Sequence, residues 1–320
     1  MPEQLSREGL TLNKKLIVYL KTDRMITRLT LILSVTLLMC LRASTQIRIY
    51  SNEFLNIGAG SRAFGMGGAQ VASVSDATAG YWNPAGLTGV KNDPSLSLMH
   101  AEYFAGIGKY DFGALAIPVA NNKRTIGLSF LRFAVDDIPN TLYLIEPDGS
   151  VNYANLRSFS SADYAVILSV AQKIKETETT SMSMGVNAKV IHRKVGSFAT
   201  AWGFGLDAGV QYHKNNVKAG IMFRDITSTF NVWRFSFSEE EKNILGVTGN
   251  DLPLERLEIT NPQIVVGASF LKRFNKIGIS HELDFYIQTD GRRNTLFSTD
   301  KISLDPAIGC EINFISKVFL

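Results

Sequence analysis

From about residue 95 onward, apolar and polar positions alternate along the chain. In 182–190, Met182, Met184, Val186, Ala188 and Val190 fall on one face and Ser183, Gly185, Asn187 and Lys189 on the other. In 204–212, Phe204, Leu206, Ala208, Val210 and Tyr212 oppose Gly205, Asp207, Gly209 and Gln211. The stretches 217–223, 277–287 and 302–314 keep the same rhythm. Side chains that change face at every residue predict β-strands. About ten can be read, near 95–104, 109–119, 124–134, 159–171, 181–193, 201–213, 216–225, 262–272, 276–288 and 301–314. Several exceed the roughly 5–6 residues usual in globular strands and reach the 9–11 or so that a tilted membrane-spanning strand needs. Their second face carries Gly and small polar residues rather than Lys and Glu. That suits a crowded barrel lumen better than the wet face of an exported β-sandwich, the soluble alternative.

The connections divide into two kinds. Asn121-Asn122-Lys123, Lys214-Asn215-Asn216 and Arg273-Phe274-Asn275 are short turns, and 173–181 is longer but polar. The intervening connections 136–158 and 226–260 are long. Short turns at one end and long loops at the other are the outer-membrane pattern. The fold class expected is therefore all-β, an antiparallel transmembrane β-barrel over 93–320. Val318-Phe319-Leu320 opens a further strand without a closing partner, so the barrel is expected to be C-terminally incomplete.

Upstream, Arg24 and Arg28 precede an apolar run, Leu29–Leu41, and the small residues Ala43, Ser44 and Thr45. This is the build of a signal peptide over 25–46, too short for a comfortable helical span. Residues 1–24 read as an upstream extension from a mis-assigned start. Cys40 belongs to the signal core, which leaves Cys310 alone and no intramolecular disulfide. No later stretch approaches the roughly 18 consecutive apolar residues of a membrane helix.

Charge adds one exclusion. Residues 1–46 hold seven basic and three acidic residues, which accounts for the whole formal net charge of +4. The remainder is balanced, so a nucleic-acid-binding face has no support. Gly58-Ala59-Gly60-Ser61-Arg62-Ala63 matches a dinucleotide pattern, with Asp76 near the spacing of a ribose-binding acid. That pattern requires a preceding strand and a parallel sheet, which an exported antiparallel chain lacks. His100, His192, His213 and His281 have no paired ligand spacing, and no G-x-S-x-G elbow occurs. The chain reads as a non-enzyme without cofactor or metal. Trp202 and Tyr212 suit opposite ends of one strand as interface anchors, and Trp233 with Tyr50, Tyr81, Tyr103, Tyr110, Tyr143 and Tyr153 offers further girdle residues, whereas Trp82 precedes the first strand.

Residues 47–92 lack the strand rhythm. They carry Gly65-Met66-Gly67-Gly68, then Asp76, then Trp82-Asn83-Pro84-Ala85-Gly86-Leu87. The segment is too apolar for a free tail and too glycine-rich for a stable helix. It is expected to be an N-terminal hatch in or at the mouth of the barrel, with Asn83-Pro84 making a fixed turn. Its glycine run, Asp76 and "AGYWNPAGL" resemble the N-terminal signature of the PorV/PorQ family of Bacteroidota outer-membrane proteins. That family is similar to the FadL long-chain fatty-acid transporters, which share the Asn-Pro-Ala turn. The resemblance covers 56–87 and implies a FadL-like barrel of about 14 strands when complete. Gly65, Gly67, Gly68, Asp76, Trp82, Asn83, Pro84, Ala85 and Gly86 would be its hatch and turn motif. It further implies a role in type IX secretion, with secretion-system proteins and cargo C-terminal signal domains as partners. The alternative is an outer-membrane channel for hydrophobic small molecules, with a hydrophobic ligand.

Overall fold

A computed structural model describes residues 51–146, 148–253, 257–314 and, for the backbone alone, 318–319. The extension over 1–24, the signal peptide over 25–46 and the start of the hatch lie outside the described residues. So do 315–317 and Leu320.

Long antiparallel strands dominate. They are β1 (Ser95–Tyr103), β2 (Gly108–Val119), β3 (Arg124–Asn140), β4 (Arg157–Glu176), β5 (Thr180–Val195), β6 (Ala199–Lys214) and β7 (Val217–Arg224). There follow β8 (Thr229–Phe235), β9 (Leu257–Thr260), β10 (Gln263–Phe274), β11 (Ile277–Gln288), β12 (Phe297–Ser298), β13 (Ser303–Phe314) and β14 (Val318–Phe319). All lie in one sheet, and successive strands pair with their neighbours from β1 to β7. β7 then pairs with β10, and β10 with β11. The short hairpins use asparagine in the left-handed region, at Asn121 and Asn122 (φ 53° and 63°), Asn215 (54°) and Asn275 (53°). Asparagine tolerates that conformation better than other side chains with a Cβ.

Two connections differ from the sequence reading. β3 and β4 pair beyond the apolar stretch, to Asn140 and Arg157, past an irregularity between Val135 and Ile138. The loop thus shrinks to 141–156. Polar residues at these strand ends interrupt the alternation, so they read as loop. The supposed loop 226–260 contains β8, the exposed helix α3 (Glu239–Val247) and β9. β7 pairs with 208–214 of the sixteen-residue β6 and β8 with 199–204. A break at 225–228 separates the two.

The burial pattern identifies the solvent on each face. Outward residues are large, apolar and exposed: Leu168 58%, Val186 56% and Phe204 62%. Inward residues are polar or small and buried, among them Asn187, Lys189, Asp207, Glu282 and Asp284. Such an inverted sheet is stable only with lipid on its outer face. Among the described residues no helix is long and apolar enough to cross a membrane. The chain is a transmembrane antiparallel β-sheet protein of the outer-membrane type. Among the described strands, β1 pairs only with β2 and β14 only with β13, so the sheet is open there.

Residues 51–92 lie against the inward face. They form α1 (Ser61–Gly65), α2 (Ala79–Trp82) and 3-10 turns at Glu53–Asn56 and Pro84–Gly89. Val74, Ala79, Tyr81, Trp82 and Leu87 join Tyr110, Phe112, Leu131, Ile167 and Ile191 in one buried cluster. The same segment reaches Met99 on β1, Asn231 on β8 and Glu311 on β13. Strands at both ends of the sheet therefore touch one short segment, so the sheet curls around it.

Candidate functional site

The inner segment is held at three places. The first is the Asn83-Pro84 turn. Asn83 is fully buried, and its amide donates to the carbonyls of Val71 at 2.8 Å and Val210 at 3.2 Å. Its side-chain oxygen accepts from Ala85 N–H at 3.2 Å, which starts the 3-10 turn after Pro84. The wall opposite is glycine. A Cβ on Gly185 of β5 would fall 2.5 Å from the Pro84 carbonyl carbon and 2.6 Å from Ala85 N. One on Gly209 of β6 would overlap Asn83, and one on Gly220 of β7 would overlap the Val71 carbonyl. Gly185 and Gly209 are cross-strand partners, and Gly220 pairs with Gly267. These glycines serve close backbone approach, since none has a positive φ.

The second holding place is acidic. Asp284 Oδ2 on β11 accepts from the N–H groups of Gln70 and Val71 at 2.7 and 2.9 Å. Glu282 Oε1, two residues earlier on the same face, accepts from Ala72 and Ser73 at 2.8 and 3.2 Å. Four backbone donors that have no strand to pair with are satisfied by two wall carboxylates.

The third is a charged knot beside the break in the wall. Lys189 Nζ lies 2.8 Å from Asp207 and 2.6 Å from Asp225, all three nearly buried. Thr229 donates to Asp225, and Asn187 bridges Asp207 to the Gly80 carbonyl. The neighbouring Arg224 lies 5.1 Å from the Tyr81 ring centre and 5.8 Å from that of Trp82. Burial raises the pKa of the Tyr81 hydroxyl above its usual value, with Arg224 opposing. It stays protonated, donating to the Leu55 carbonyl and accepting from Gly58 N–H.

The motif residues therefore separate. Trp82, Asn83, Pro84, Ala85 and Gly86 come together against β5–β7, and Trp82 Nε1 donates to the Ala59 carbonyl. Gly67 and Gly68, at φ 61° and 84°, end α1; Gly68 accepts from the Tyr286 hydroxyl at 2.7 Å. Asp76 stands apart and makes a local turn, accepting from Thr78 N–H and Oγ1. Gly65 has open space around it. Several aromatics read as girdle residues lie inside instead. Tyr81 and Tyr110 are buried in the inner cluster, and Trp233 faces inward two residues from buried Asn231. Trp202 and Tyr212 do face outward near opposite ends of β6.

At the long-loop end, strands, loops and α3 line an open cavity of about 770 Å³. Leu142, Phe198, Trp233, Phe235, Phe237 and Leu245 line it, and Ser51 and Glu258 also reach it. Phe235 lies 6.2 Å from Trp233 and 6.4 Å from Phe237, all nearly parallel, so the wall is a row of aromatic faces. The inner segment begins here: Asn231 donates to Ser51 Oγ and Asn52 Oδ1, and Asn52 donates to Thr260.

No family model matches the chain. No curated protein matches it either. The PorV/PorQ likeness is thus a resemblance of residues 56–87 alone. Among solved structures the chain is similar to the toluene transporter TbuX of Ralstonia pickettii, at 13% identity and a TM-score of 0.44 over 82% of this chain and 83% of that one. It is also similar to a FadL homologue of Pseudomonas aeruginosa, at 10% identity and a TM-score of 0.40 over 79% and 76%.

Proposed function

We propose that the protein is an outer-membrane channel for hydrophobic small molecules, with residues 51–92 as its hatch. The observation that carries this reading is the aromatic-lined cavity of about 770 Å³ at the loop end, in contact with Ser51 at the start of the inner segment. Its volume is in the range of about 300–1,000 Å³ typical of small-molecule sites. A molecule bound there meets the hatch before it can go further. Replacing Ala199, which lines the cavity, with Trp should abolish most binding of a neutral hydrophobe such as 1-decanol. Equilibrium dialysis against the full chain in lipid nanodiscs measures it, and undiminished binding in Ala199→Trp would place the ligand elsewhere.

The secretion reading, with translocon proteins and cargo signal domains as partners, is carried by 56–87 alone. Most of those residues are buried against the inner wall, where packing accounts for the glycines and the Asn-Pro turn without any partner. Affinity capture from outer membranes tests it, and co-purifying secretion-system proteins would support it.

A further inference from the structure

The ionisable groups at the cavity narrow the class of ligand. Among the described residues lining it, Glu258 alone carries a charge. Its carboxylate accepts from Trp233 Nε1 at 2.5 Å and from Arg193 Nη1 at 3.3 Å. Arg193 is already engaged: its Nε and Nη2 reach the two oxygens of Asp163 at 2.9 and 3.2 Å, and its guanidinium lies 5.0 Å from the Trp233 ring centre. One cation is thus shared between two carboxylates, and the cluster is net negative. The side chains of Arg193, Asp163 and Glu258 are only 20%, 15% and 18% exposed, so water screens them poorly. The remaining wall is aromatic and aliphatic.

Resting on the channel reading above, we propose that this cavity takes uncharged hydrophobic molecules and rejects carboxylates. An anionic head group entering it would give up hydration, meet no cation among the described residues lining the cavity, and face Glu258. An uncharged molecule of the same length buries the same apolar surface without either penalty. The discrimination is therefore electrostatic and centres on Glu258, while the aromatic row supplies affinity.

The test compares three ligands of one chain length, 1-decanol, methyl decanoate and decanoate, by equilibrium dialysis at neutral pH. The full chain is held in lipid nanodiscs, and empty discs provide the background. Decanol and the methyl ester should bind at least about tenfold more tightly than decanoate, the factor that roughly 1.4 kcal/mol of repulsion produces. Glu258→Gln should narrow the ratio between ester and carboxylate. If that variant fails to fold, the ester-to-carboxylate ratio of the unaltered protein still decides, because the two ligands differ only in charge and one methyl group. Decanoate binding as tightly as its methyl ester would overturn the proposal and leave the channel reading standing. Absence of binding by all three above background would remove the channel reading, and this proposal with it.

Discussion

A valine at position 185 should loosen the hatch while leaving the sheet intact. Gly185 sits in the middle of β5 at an ordinary strand conformation, so a side chain there strains no backbone dihedral, and valine favours strands. The clash is with the inner segment. A Cβ 2.5 Å from the Pro84 carbonyl carbon and 2.6 Å from Ala85 N must push that backbone away by nearly an ångström, and the two valine methyls add to this. Overpacking of this kind costs about 1–3 kcal/mol. The displaced turn also loses the Ala85 N–H bond to Asn83 and the Thr88 hydroxyl bond to the Ala85 carbonyl, at about 1 kcal/mol each. A central value of about 4 kcal/mol predicts that residues 82–90 open on the order of a thousandfold more often. Amide hydrogen exchange by mass spectrometry, in nanodiscs, measures this directly. Amides of β4–β6 should keep their protection. Unchanged exchange at 82–90 would refute the argument that the wall glycines exist to admit the hatch. Equal acceleration across β5 would show that the segment and the sheet open as one unit.

Two further outcomes follow from the same geometry. Asp284→Ala removes the acceptor of two buried backbone donors and should destabilise the 70–73 region by about 2–4 kcal/mol, read as faster exchange there with the Asn83 turn less affected. Val186→Arg, on the lipid face, should cost about 2–4 kcal/mol if it lies near the bilayer midplane, measured by urea unfolding from vesicles, and an effect near zero would place the residue at an interface.

The alternation was legible because lipid imposes it. Met182, Met184 and Val186 must be apolar, and the inward partners Gly185 and Asn187 must fit a crowded lumen, so period two survives along the spans. It fades past the irregularity in the β3–β4 pairing: β3 beyond Val135 and β4 before Ser161 carry polar residues that read as loop. β8 carries the same alternation in Thr229-Phe230-Asn231-Val232-Trp233, but it is short and follows a break, so in sequence it reads as part of a loop. Within the inner segment, Asn83-Pro84 and the glycine run stood out by composition. What they pack against did not, because Gly185, Gly209 and Asp284 lie more than a hundred residues downstream and each is unremarkable in its own strand. Trp233 was read as a girdle residue since a lone aromatic in a strand does not declare its face. Only its register against Ala201 turns it inward, beside Phe235.

The central claim is that this sheet passes hydrophobic molecules once the hatch moves. Uptake of N-phenyl-1-naphthylamine, an uncharged fluorophore that brightens in membranes, tests it in cells producing the chain in their outer membrane. The account predicts faster uptake than in cells lacking the chain, and faster still with Gly185→Val at equal levels of the chain in the outer membrane. Uptake equal in all three strains would contradict it.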